Sequence, residues 1–202
     1  MTTVRLNARI TMNGAARRVR ARVARATVYG TLVLAAIYGR AGLYADSPRP
    51  TEYQVKAAYL ANFAKFVEWP PGAVTDSNPI PICVVGQDPF GPVLDATVSG
   101  ESVDRHPLVA RRIGSMSDVD GCRIVFVSSS EAMAGAVLAA AERAPILTVS
   151  DVPGFLKQGG MIEFVLDANR VRFEINLAAA RAAGLNLSSE LLRVATAVRR
   201  TP

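Results

Sequence analysis

The chain has 202 residues, half of them hydrophobic, and a formal net charge of +6, a length that suits one sizeable domain plus an appendage. The positive balance is local: residues 1–45 carry eight Arg and no acidic residue, whereas residues 46–202 carry 15 Lys and Arg against 17 Asp and Glu. A nucleic-acid partner needs a basic excess in the folded part, and this composition gives no support for one.

Arg17, Arg18, Arg20, Arg22 and Arg25 precede an uncharged run of 14 residues, Ala26–Gly39, and then small residues around Ala41 and Ala45. A positive region, a short apolar run and a small-residue exit predict a secretory signal peptide over residues 1–45, with Met12 as an alternative start. Fourteen residues are too few for a comfortable membrane span, so no stable insertion is expected after cleavage. An uncleaved anchor is the alternative, and it too leaves the domain beyond the cytoplasmic membrane. In an oxidising compartment an even pair of cysteines is usually bridged. Cys83 lies in one apolar run, Ile80–Gly86, and Cys122 opens another, Cys122–Val127. If those strands are neighbours, a bridge closes a loop of about 40 residues, worth about 3–4 kcal/mol. Two cysteines and the single His106 do not make a convincing zinc site, and no cofactor is expected.

Residues 46–50 read as a linker and 51–202 as one domain. Thr51 and Gln54 have capping-box spacing, and Val55, Tyr59, Phe63, Phe66 and Val67 recur at helical spacing as far as Trp69-Pro70-Pro71, where the prolines stop a helix. Pro81–Gly86 is continuously apolar, as in a strand covered on both faces. A short helix is expected near Pro92–Ala96, a strand within Val103–Ile113 and a buried strand over Cys122–Val127. Ser128–Glu131 caps a helix with Met133, Ala134, Val137, Leu138 and Ala141 inward. Ile146–Val149 is a third buried strand, followed by a short helix containing Phe155 and Leu156.

Gly159–Leu177 then alternates with period two, which predicts a hairpin. Only an even loop, Ala168-Asn169 or Asp167–Arg170, sets Phe164 opposite Phe173 and Ile162 opposite Ile175. The same register opposes Glu163 to Glu174, a like-charge pair for which Arg172 can supply the cation. An Ala-rich helix ends at Gly184. Ser188 caps a last helix, with Leu187 and Leu192 as a staple and Leu191, Leu192, Ala195 and Val198 as its stripe. Strands alternating with helices predict a layered α/β sandwich, its mainly parallel sheet carrying an antiparallel C-terminal hairpin edge and helices on both faces.

In such sheets ligands collect beyond the strand carboxyl ends, here Gln87, Asp88, Ser128, Ser129, Ser150 and Asp151. Helix caps and turns call for the same residue types. No phosphate-binding glycine motif follows a strand. Ser128 or Ser129 could be activated only by His106, and no G-x-S-x-G elbow surrounds either serine. The residues therefore favour a binding protein over an enzyme.

VKAAYLANFAKFVEWP (Val55–Pro70), ICVVGQDPFG (Ile82–Gly91), CRIVFVSSSE (Cys122–Glu131), ILTVSD (Ile146–Asp151), GGMIEF (Gly159–Phe164) and VRFEINLAAARAAGLNLSSELL (Val171–Leu192) together resemble the YfiR family of periplasmic regulators. The resemblance implies a dimeric periplasmic protein that represses an inner-membrane diguanylate cyclase of the YfiN type by binding its outward-facing sensor domain, which lowers cyclic di-GMP. It supports the Cys83–Cys122 bridge and makes the hairpin residues Glu163, Arg172, Glu174 and Asn176 candidates for the partner surface. Some members carry a second cysteine pair that this chain lacks. A periplasmic small-ligand module using the strand-end crevice is the alternative function.

Overall fold

The computed structural model describes residues 50–75, 78–128, 131–142 and 144–201. The expected signal peptide and residues 46–49 of the linker lie outside them, as does Ser129. Thr51 caps the first helix, α1 (Glu52–Phe63), in the expected capping box. β1 (Val67–Glu68) follows, then β2 (Ile80–Val85), α2 (Pro92–Val98), β3 (Ser102–Val103) and β4 (His106–Ile113). A 3₁₀ turn over Met116–Gly121 leads to β5 (Ile124–Val127), α3 (Glu131–Ala141), β6 (Leu147–Ser150) and a second 3₁₀ turn, Phe155–Gln158. The chain closes with β7 (Ile162–Asp167), β8 (Arg170–Asn176), α4 (Leu177–Ala182), β9 (Asn186–Leu187), α5 (Ser189–Val194) and β10 (Ala197–Arg199).

Eight strands form one sheet in the order β10-β8-β7-β6-β5-β2-β4-β3, parallel except for the pairs β7–β8 and β3–β4. Every residue of β2, β5 and β6 is buried, which explains their unbroken apolar runs. The chain leaves β2 toward β4 but leaves β5 toward β6. Right-handed crossovers in opposite directions put α2 and α3 on opposite faces. The mixed α/β class expected from the sequence is the one observed.

The hairpin takes the two-residue alternative. Ala168 and Asn169 have φ of 46° and 60°, as a type I′ turn requires, and Ile162 faces Ile175, Glu163 faces Glu174 and Phe164 faces Phe173. The aromatic rings bind α1 to this hairpin. Tyr59 and Phe63 lie 5.3 and 5.2 Å from Phe173, centroid to centroid, and Phe63 stacks on Phe164 at 5.9 Å. Cys83 and Cys122 are fully buried and disulfide-bonded, with Cα atoms 6.0 Å apart.

Several expectations change. The first helix ends at Phe63, well short of the prolines, because Val67 and Glu68 pair with Leu187 and Asn186 and the Phe66 carbonyl accepts from Ser188 N–H. Its inward face is Lys56, Ala57, Leu60, Ala61 and Phe63; Val55 and Tyr59 are only half-buried. The strand expected within Val103–Ile113 is β4, and what the sequence did not indicate is the short β3 paired to it through a tight turn, where Asp104 and Arg105 have φ of 48° and 73°. Cys122 precedes β5 instead of opening it, since the 3₁₀ turn delivers it there. The last helix stops at Val194. Ala195 turns extended, and Val198 pairs with Ile175 in a strand beyond β8, so the C-terminal hairpin is not the sheet's edge. Among the described residues no helix is long and apolar enough to cross a membrane.

Candidate functional site

The opposed exits of β2 and β5 create a topological switch point at their carboxyl ends, where Gly86 (φ 89°) passes Ser128. The first turns of α1 close one side. Tyr53 meets Phe90 edge-on at 5.5 Å, and Phe90 meets Phe126 of β5 at 4.8 Å. Beneath Tyr53 sits Lys56, 3% exposed, held by Glu52 at 2.5 Å and Asp151 at 2.6 Å. Its ammonium also lies 4.5 Å from the Tyr53 ring centroid, and the Tyr53 hydroxyl donates to Asp151 at 3.2 Å. Burial works against the Lys56 charge, yet the hydrogen bonds to Asp151 and Glu52 hold its pKa above the ordinary lysine value. Burial and then the Asp151 charge push the Tyr53 phenol up. Asp151 is recognisable in the sequence as a strand-end residue, but Lys56 is not, because a lysine inside a helical pattern reads as solvent-facing.

The other crevice candidates are mostly engaged in the fold. The buried Ser150 hydroxyl donates to the Val127 carbonyl at 2.7 Å and accepts from Val152 N–H. Ser128 is buried. Asp88 accepts from Phe90 N–H and from Arg112 Nε, both at 2.8 Å; Arg112 also reaches Asp95 at 2.7 Å and the Gly91 carbonyl. Among the described candidates only Gln87 is exposed. Arg112 thus straps α2 to β4, and its hydrogen bond to Asp95 holds that carboxyl below the usual range. Replacing Arg112 by Ala is expected to cost about 1 kcal/mol, since the network is partly exposed. Because the Asp95 pKa is depressed, its share of stability is present above about pH 4 and lost as pH falls through the folded value. Acid titration of R112A, followed by circular dichroism, should therefore show a shallower loss than wild type.

His106 and Ser128 do not meet. His106 begins β4 and Ser128 follows the end of β5, strands that both run parallel to β2, so about eight residues, or about 26 Å, of sheet separate them. His106 Nδ1 is 2.9 Å from the Asn78 carbonyl. Among the described residues no cluster of His, Cys, Asp and Glu could hold a metal.

On the hairpin, Glu163 and Asn176 serve local structure. Glu163 accepts from Gly154 N–H at 3.0 Å and Leu156 N–H at 3.1 Å, while Asn176, 9% exposed, caps α4 by accepting from Ala179 N–H. The cation expected from Arg172 is not used, for Arg172 makes no ion pair among the described residues. Glu163 is satisfied by backbone donors, and Glu174 finds Arg199 of β10 at 3.9 Å. Arg172 and Glu174, both half-buried, remain accessible to a partner. Replacing Glu163 by Gln leaves one of its two N–H partners without an acceptor and should cost about 1–3 kcal/mol. Urea titration of E163Q measures that loss.

The inward-turned Lys56–Asp151 cluster at the strand ends and the hairpin with its half-buried Arg172 and Glu174 make up the candidate site. The YfiR/HmsC-like family model matches residues 53–196, more than half of the chain, and the chain belongs to that family. Its members are periplasmic and regulatory and are tied to diguanylate-cyclase systems. No curated protein matches the chain. Among solved structures, a conserved domain protein from Vibrio cholerae O1 biovar El Tor str. N16961 shares the fold, with a TM-score of 0.52 and 12% identity over 74% of this chain. The match spans 60% of that chain's length.

Proposed function

We propose that this protein is exported and holds an inner-membrane diguanylate cyclase inactive by binding its periplasmic sensor domain, which lowers cyclic di-GMP in the cytoplasm. The observation that carries the reading is the family match over residues 53–196. The buried disulfide supports an oxidising compartment, and the Arg-rich leader supports export through a signal peptide. The partner surface includes the hairpin, where Arg172 and Glu174 make contact while Glu163 and Asn176 hold its frame. Ser150, Ser128, Asp88 and Asp151 are occupied within the fold, which favours a protein partner over a small ligand in the crevice.

Deleting the gene should raise cellular cyclic di-GMP several-fold, as measured by mass spectrometry. The full chain should reverse the rise, and a version beginning at Thr51, without the leader, should not. Unchanged cyclic di-GMP on deletion would overturn the reading.

A further inference from the structure

We propose that the open outer edge of β10, with the arginines around it, accepts an acidic, extended segment of a partner protein as an added strand. The proposal deepens the reading above and rests on it. Charge is segregated within the folded part: residues 46–168 carry nine Lys and Arg against 15 acids, whereas residues 169–202 carry six Arg against two Glu. The fold gathers β8 and β10, which lie in this segment, side by side at one end of the eight-stranded sheet. Both glutamates already face arginines, Glu174 at 3.9 Å from Arg199 and Glu190 at 3.7 Å from Arg193. Arg170, Arg172, Arg181 and Arg200 make no ion pair among the described residues.

The backbone of β10 supplies the second observation. Thr196 N–H donates to the Phe173 carbonyl at 2.9 Å, and Val198 lies opposite Ile175. In a parallel ladder the bonding residues alternate, so Ala197 and Arg199 turn their N–H and C=O groups away from β8. Both are exposed, and no described strand pairs with them. Val194, 62% exposed at the end of α5, stands three residues before Ala197 as an apolar anchor.

The charge selects the occupant. A second copy pairing edge to edge would bring Arg199 and Arg200 against their own kind, and like charges across a ladder destabilise it. An anionic lipid surface would attract the arginines but offers no row of N–H and C=O groups to the strand. An acidic polypeptide satisfies both, by strand addition.

Binding of a short fluorescent peptide of alternating Glu and Val, and of its Lys-for-Glu counterpart, to the oxidised exported chain tests this. The acidic peptide should bind at least about tenfold more tightly than the basic one, more weakly as salt rises, and should slow amide exchange at Ala197 and Arg199. Ala197→Pro deletes one outward donor and leaves the bonds of Thr196 and Val198 to β8 in place. That variant, and Arg199→Gln with Arg200→Gln, should each weaken binding about tenfold. Arg200→Gln alone, which has no ion pair to lose, serves if the double variant loosens the sheet. No binding, equal binding of the two peptides, unchanged affinity in the variants, protection elsewhere, self-association abolished by Ala197→Pro, or preference for phosphatidylglycerol vesicles would each overturn the proposal. If the peptide binds β10 but the chain does not hold a cyclase sensor domain, the functional reading fails and the edge site stands. If the chain holds the sensor domain and these variants change neither interaction, the edge site fails alone.

Discussion

Reducing the Cys83–Cys122 bond is expected to lower the unfolding free energy by about 4 kcal/mol and the melting temperature by about 10 °C. The bond joins cysteines 39 residues apart in sequence, and the segment between them contains α2, β3, β4 and a 3₁₀ turn. Opening the loop restores to the unfolded chain the freedom that the bridge removes. The native side loses little, because β2 and β5 are held together by their own ladder from Ile82–Ile124 to Val85–Val127. Both sulfurs are buried, so reduction should be slow until the protein opens. Urea titrations with and without dithiothreitol, alongside a Cys83→Ala/Cys122→Ala variant, measure the effect. Equal midpoints for all three would show that the bridge contributes nothing.

Replacing Lys56 by Ala should cost about 3–5 kcal/mol, because it leaves Asp151 in a largely enclosed site with only the Tyr53 hydroxyl as a partner. Lys56→Met paired with Asp151→Asn should recover much of the loss, since it is the uncompensated charge and not the missing pair that costs most. The pH dependence has a definite sign. Lys56 and Tyr53 both have folded-state pKa values above their ordinary 10.5 and 10.0, so the stability they contribute is present below about pH 10. It is lost as pH rises through the folded values. Lys56→Met should remove the lysine share of that alkaline decline, readable as a smaller drop in melting temperature from pH 9 to 11 in buffers of matched ionic strength (roughly the window set by these pKa values). An alkaline profile identical to wild type would contradict the assignment.

Elements with strong local signals were legible in the sequence. The capping box at Thr51, the apolar runs of β2, β5 and β6 and the parity of the β7–β8 hairpin each follow from short-range chemistry, and the structure realises them. What local pattern could not reveal was long-range pairing. Val67 and Glu68 have helical spacing behind Phe63, but they are recruited by Asn186 and Leu187, more than a hundred residues away. Ala195 and Val198 continue the stripe of α5, but strand pairing with β8 overrides it. The candidate site shows the same division. Asp88, Ser150 and Asp151 were recognisable as strand-end residues, whereas Lys56 becomes informative only once α1 carries it onto Asp151. Likewise, Glu163 looked like one half of a surface charge pair until the 3₁₀ turn placed two backbone N–H groups within its reach. The arginine-rich edge was hidden by an overall balance that averaged two oppositely charged segments.

The most direct measurement is a calorimetric titration of the purified, oxidised protein into the periplasmic sensor domain of a membrane diguanylate cyclase from the same cell, with cyclase turnover followed in reconstituted membranes. Saturable binding together with falling cyclic di-GMP synthesis is expected. A sensor domain that takes up no protein, or a cyclase whose rate is unaffected at saturation, would contradict it.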